Sequence, residues 1–238
     1  MEQAKDKPKK KRSRRRKLLY WLLIDLIVAG TVIGLLLHKP RRYHPVNPPA
    51  DANGQAVHPY LHRDLASQFY NNAQNQRPFT MIVLDKLLNE AIAVAQWPHE
   101  TEGVTFSKPE VLFVPGRMVL MGTADVQGAD LVITIELAPR FDEEGLFNID
   151  VEKVVIGAMN ITPLAKMVGR KMYLQRLEEL PSGPEDLRMK IAGSLLNQKP
   201  FDPVFEVEDK WVRLKEVEIT EGQLSGRFVP ARKPSSSE

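Results

Sequence analysis

The sequence predicts an α+β protein: an N-terminal transmembrane helix, a tether, then a domain whose antiparallel sheet packs on long amphipathic helices. Three observations carry that expectation. The twenty residues from Leu18 to Leu37 hold one charge, Asp25, and no proline. Apolar residues recur with a helical period near residues 80–97 and again after Pro163. Between those stretches, and again toward the C-terminus, runs rich in β-branched residues alternate with short turn signals.

The apolar stretch is long enough to cross a bilayer as a helix, which takes about 20 residues at about 1.5 Å each. Ten Lys and Arg precede it, ending at Lys17, and three follow closely (Lys39, Arg41 and Arg42). That asymmetry places the N-terminus in the cytoplasm and everything after His38 outside it, with Tyr20 and Trp21 at one interface. The stretch exceeds the hydrophobic region of a cleaved signal peptide, and "LHKPRRY" is a poor cleavage site, so the expectation is an uncleaved anchor. Asp25 inside the span, with Gly30 and Gly34 spaced as small-xxx-small, suggests a homodimer contact between two spans.

Charge excludes one class of function. The chain carries +3 overall, but residues 1–42 hold 13 basic and 3 acidic residues, leaving 20 and 27 for the remainder. The outer part is therefore acidic, and no nucleic-acid partner is expected, because such binding depends on a basic surface that displaces counterions. With no cysteine, disulfides and thiolate chemistry are absent, so the core alone must hold the domain together.

The organisation follows in order: a basic cytoplasmic tail over 1–17, the span over 18–37, a Pro-rich tether over 38–59, one domain over 60–232 and a polar tail over 233–238. "RDLASQFYNNAQNQ" reads as a short helix with Leu65, Phe69 and Ala73 on one side. From Thr80 to Trp97 a longer helix is expected, with Leu84, Leu87, Leu88, Ala91, Ile92 and Ala95 on one face and Asp85, Lys86, Asn89 and Glu90 on the other. Strands follow at "VTF", "EVLFV", "RMVLMGTADV", "LVITIELAPRF" and "LFNIDVEKVVIG", joined by turns such as "PG" and "DEEG" in an antiparallel meander. Two helices come next, one after Pro163 with Leu164, Met167 and Val168 on its apolar face, and a second beyond the break at Pro181 to Pro184. Strands close the chain at "VFEVE", "WVRLKEVEIT" and "QLSGRFVPA".

Chemistry-bearing patterns are sparse. Four of five histidines lie in or beside the tether; "HPYLH" has ligand-like spacing but no third ligand nearby, so no metal site is expected. No Gly-rich phosphate loop or nucleophile elbow occurs, and Asp142, Glu143 and Glu144 sit together in a turn where carboxylates are solvated. No catalytic residue, cofactor or enzymatic activity is expected. What stands out is apolar surface on both sides of one strand, at Met118 to Met121: helices must cover the second face, or it forms a groove for an acyl chain.

The series "VLDKLLNEAIA", "VTFSKPEVLFVPGRMVLMGTADV" and "LVITIELAPRFDEEGLFNIDVEKVVIGAMNITPL" resembles small membrane-anchored envelope proteins of the YpmS and YceB kind, which look related to the tubular lipid-binding (TULIP-like) superfamily. The matching positions are Leu88 and Asn89 in the helix and Gly157 and Pro163 at the strand-to-helix turn; "VLDKLLN" departs from the family's acidic helix start. The resemblance implies a highly curved antiparallel sheet around a long helix that lines a hydrophobic tunnel. The expected ligand-binding groove comprises Leu84, Leu87, Leu88, Ala91, Ile92, Met118, Leu120, Ile133, Ile135, Leu164, Met167 and Val168, and the membrane anchor Lys17, Tyr20, Trp21, Asp25, Gly30 and Gly34. The expected function is binding or sensing of a lipid-like apolar ligand, with membrane lipids as partners; the alternative is a non-enzymatic interaction module with a protein partner in envelope assembly. A bacterial inner (plasma) membrane is the expected location.

Overall fold

The computed structural model describes residues 12–45, 64–95, 97–101, 103–179 and 187–233. The first eleven residues of the basic tail, most of the tether with His58 and His62, the Pro181–Pro184 break and the end of the polar tail lie outside the described residues. The fold is α+β, with an N-terminal apolar helix and two antiparallel sheets.

Helix α1 (Arg12–Leu36) contains the apolar stretch from Lys17 to Leu36, exposed on almost every side. None of the described residues buries it. Helix α2 (Ala66–Gln74) follows, near its expected position.

The next element departs from expectation. Residues 79–84 form strand β1 (Phe79–Leu84), and only then does helix α3 (Asp85–Val94) begin. "FTMIVL" is β-branched and aromatic, and it pairs along its whole length with a later strand, from Phe79 opposite Phe228 to Leu84 opposite Gln223. A short apolar run fits either period, and here the vacant sheet edge decides it. Leu84 is consequently extended, with φ −95° and ψ 132°, and ends the strand instead of joining the helical face.

Strands β2 (His99–Thr101), β3 (Val104–Phe106), β4 (Glu110–Val114), β5 (Arg117–Val126), β6 (Ala129–Phe141), β7 (Phe147–Ile156) and β8 (Met159–Asn160) form the larger sheet in the order β2-β3-β5-β6-β7-β8, with β4 also on β5. The β4–β5 turn is Pro115–Gly116, where Gly116 takes φ +75°, a conformation that suits glycine. Helices α4 (Thr162–Glu179) and α5 (Leu187–Asn197) come next; α5 lies against β7, where Ser194, fully buried, accepts the Ile149 N–H at 2.6 Å and donates to Asn148 at 2.8 Å. Strands β9 (Val204–Val207), β10 (Lys210–Thr220) and β11 (Gln223–Ala231) then complete a smaller sheet, β1-β11-β10-β9.

Strand β10 joins the two sheets into one core. Its Ile219 packs with Val111 and Phe113 of β4, together with Leu88 and Ile92 of α3. Its Leu214 packs with Phe147 of β7 and with Phe201, joined by Ile191 of α5 and Phe228 of β11. Asn89, expected on the solvated face of its helix, is instead buried. Its side-chain amide donates to Val111 O and accepts from Val111 N, both at 2.7 Å, so it pairs with the edge of β4 as another strand would. Asp85, one helical turn earlier, accepts from Phe113 N at 3.3 Å.

Candidate functional site: an apolar cavity between the sheets

The two sheets do not close on each other everywhere. Between them lies an open cavity of about 480 Å³, within the range of about 300–1,000 Å³ usual for small-molecule sites. Met81 and Val83 of β1, Leu214 and Val217 of β10, and Leu224, Gly226 and Phe228 of β11 form one wall. Met118, Pro139, Phe147 and Ile149, from β5, β6 and β7, form the other. Leu65, Ala66 and Phe69 bring in α2 and the residue before it.

Every lining side chain is apolar. Water entering the mouth finds no side-chain hydrogen-bonding group on these walls, and an ordered water needs two to four polar partners. An apolar occupant would take these walls out of water, which is worth about 25 cal/mol per Å² of apolar surface buried.

Aromatic rings line one side of the cavity. Phe79 stacks on Phe228 with ring centroids 5.2 Å apart, and Phe69 of α2 meets both edge-on, at 5.7 Å and 5.1 Å. Outside this cluster α2 is held by Tyr70, whose hydroxyl donates to Glu208 at 3.1 Å, and by Gln74, which donates to Val207 O at 3.3 Å. The hydrogen bond to the Glu208 carboxylate, and its negative charge, raise the Tyr70 phenol above its ordinary value of 10.0.

A second apolar cavity, of about 430 Å³, lies between Trp97, His99 and Phe106 and the sheet residues Leu120, Ile133 and Ile135. Met118 and Leu120 are alternate residues of β5, opposite Leu137 and Ile135 of β6, and so share one face. The two cavities thus adjoin the same face of the larger sheet, where Met118 and Leu120, like Leu88 and Ile92 of α3, pack against Val111, Phe113 and Ile219.

The expected groove residues divide accordingly. Met118 lines the larger cavity, while Leu120, Ile133 and Ile135 line the second. Leu88 and Ile92 pack in the core cluster, Leu87 and Ala91 are half-buried, and Leu84 is more than a third exposed. Leu164, Met167 and Val168 line neither cavity and face outward on α4. Expectation missed the contributions of β1, β7, β10 and β11. The alternation of apolar residues in "FTMIVL" and in Leu224, Gly226 and Phe228 was the available signal.

Against the opposite face of the larger sheet lies the segment expected to be a free tether. His38, Pro40, Arg41 and Arg42 line a third cavity, of about 340 Å³, together with Val119, Met121, Thr134 and Val155. Lys39 pairs with Asp130 at 3.3 Å, and the Tyr43 hydroxyl donates to Lys108 O at 3.4 Å. His44 N–H donates to the buried Glu110 carboxylate at 2.7 Å. At the end of α1 the Ala158 N–H donates to Leu35 O at 2.7 Å. Gly157, at φ +61°, admits this approach, since a Cβ there would collide with the Leu35 and Leu36 carbonyls. The apolar alternation on both faces of β5 therefore reflects two different coverings. Helix α1 continues directly into the fold.

Among the described residues no group of histidines and carboxylates is arranged to hold a metal ion. No family model, curated protein or solved structure matches the chain.

Proposed function

We propose that the chain is a single-span membrane protein of a bacterial inner membrane whose outer domain binds a lipid-like apolar ligand between its two sheets, without catalysing a reaction. The observation that carries this reading is the 480 Å³ cavity with wholly apolar walls. Burying an acyl chain there is worth about 0.8 kcal/mol per CH₂. The resemblance to tubular lipid-binding proteins points the same way. The 13 basic residues around the apolar helix, ten before it and three after, support an anchor with its N-terminus in the cytoplasm. Tyr20 and Trp21 then sit at the inner interface, and membrane lipids are the natural source of the ligand.

The anchor also offers a surface to a second copy of the chain. Nothing lies within 4 Å of a Cβ placed on Gly30 or Gly34, so this small-residue face is open to another span.

A photoactivatable fatty acid fed to cells expressing the full chain tests the ligand. The expected adducts fall on peptides of β1, β10 and β11, at residues such as Met81, Val217 and Leu224. Adducts confined to α1 would show contact with bulk membrane only and would sink the lipid-binding reading.

A further inference from the structure

We infer that α4 lies on the outer surface of the bilayer and forms a second membrane contact beside the span. The inference rests on the reading of α1 as a membrane anchor, and not on any occupant of the cavity. Helix α4 packs inward on a narrow stripe: Ala165, Gly169 and Tyr173, four residues apart, with Leu196 of α5 beside Gly169 and the Tyr173 ring beside Gly193. Tyr173 is 7% exposed. On the opposite side, at helical spacing, stand Leu164, Met167, Lys171 and Leu174, with Leu164 54% and Met167 64% exposed. Lys166 and Arg170 flank that side, and no acidic residue precedes Glu178 in the helix.

Position selects the bilayer as the occupant of this face. The span ends at Leu36, and Ala158 is hydrogen-bonded to Leu35; α4 starts at Thr162, four residues after Ala158. The first turn of α4 therefore starts within about 14 Å of the end of the span, the reach of four residues of extended chain. Charge agrees: an apolar stripe with a lysine in its middle and cations on its flank suits an interface where stems lie along acyl chains and ammonium groups meet phosphates. A protein groove fitted to the same stripe would have to bury Lys171. At 18 residues, about 27 Å, α4 is long enough to fix which side of the domain faces the membrane.

The chain has no cysteine, so single reporters are readily placed. Met167→Cys, Leu22→Cys and Glu144→Cys would each carry an environment-sensitive fluorophore on the full chain, in nanodiscs of phosphatidylcholine and phosphatidylglycerol with quencher-bearing acyl chains. Glu144 lies in the turn at the far end of β7, about 33 Å along the strand from the Gly157 turn. The expected result is loss of most emission at Met167 and Leu22, with the Met167 reporter about 5–10 Å below the headgroups, and none at Glu144. Quenching at Leu22 without quenching at Met167 would overturn the inference and leave the anchor standing. Quenching at neither, or at Met167 alone, overturns the anchor and with it the inference that α4 lies beside a span. A Met167 reporter shielded from aqueous iodide yet unquenched by lipid shows a protein covering α4, and also overturns the inference.

Discussion

Asn89 shows how one side chain holds two elements together. Its amide satisfies both the N–H and the C=O of Val111, inside the cluster where Leu88 and Ile92 of α3 meet Phe113 and Ile219. Asn89→Leu leaves both backbone groups buried without that partner, and each such loss costs about 1–3 kcal/mol. The expected outcome is a loss of about 2–4 kcal/mol in denaturant unfolding of the full chain; a change below about 0.5 kcal/mol would show that β4 finds other partners. In the cavity wall, Ala66→Trp should occupy ligand space at little cost in stability, because Ala66 is exposed at the start of α2 and belongs to neither core cluster. Leu224→Arg, by contrast, puts a charge among apolar walls and should lower both ligand content and unfolding temperature.

At the scale of elements, α2 and the post-anchor segment each depend on a few polar ties. The Tyr70 phenol, raised by its hydrogen bond to Glu208, donates only while neutral; its contribution is complete below the ordinary value and is lost as pH rises through the raised one. Tyr70→Phe should accordingly speed ligand exchange at neutral pH, and the wild-type exchange rate should climb to meet it only in strong alkali. If both proteins exchange equally at pH 8, α2 is not limiting. Gly157→Val brings a side chain against the Leu35 and Leu36 carbonyls, and should free residues 38–45 from the sheet. Limited proteolysis in nanodiscs should then cut at Arg41 or Arg42 several-fold faster than in wild type; an unchanged rate would show that Tyr43 and His44 suffice to hold the segment. The docked segment was not legible in the sequence. "HKPRRYH" has the composition of a linker, and its partners Asp130, Lys108, Thr123 and Glu110 are between 65 and 91 residues away. The turns were legible, since Pro115–Gly116 and Glu221–Gly222 each carry their own local requirement. Residues 79–84 were misread because a six-residue apolar run satisfies both periods, and only the edge of β11 chooses between them.

For the molecule as a whole, the sequence announced an N-terminal apolar helix, an α+β domain and an excess of apolar strand positions, but not the division of those strands into two sheets. That division is a matter of long-range pairing: β1 joins β11, about 145 residues later, and β10 packs against both sheets. The cavity arises where the sheets separate, so no single segment carries its signature. The same architecture makes ligand content the direct test of the account. Native mass spectrometry of the full chain, released from non-ionic detergent, should be compared between wild type and Ala66→Trp. Lipids that merely coat the anchor remain on both. A cavity ligand gives one apolar adduct on the wild type that the variant lacks while unfolding at the same temperature, and that is the predicted result. Identical adducts on both, or a wild type that takes up no added fatty acid, would contradict it.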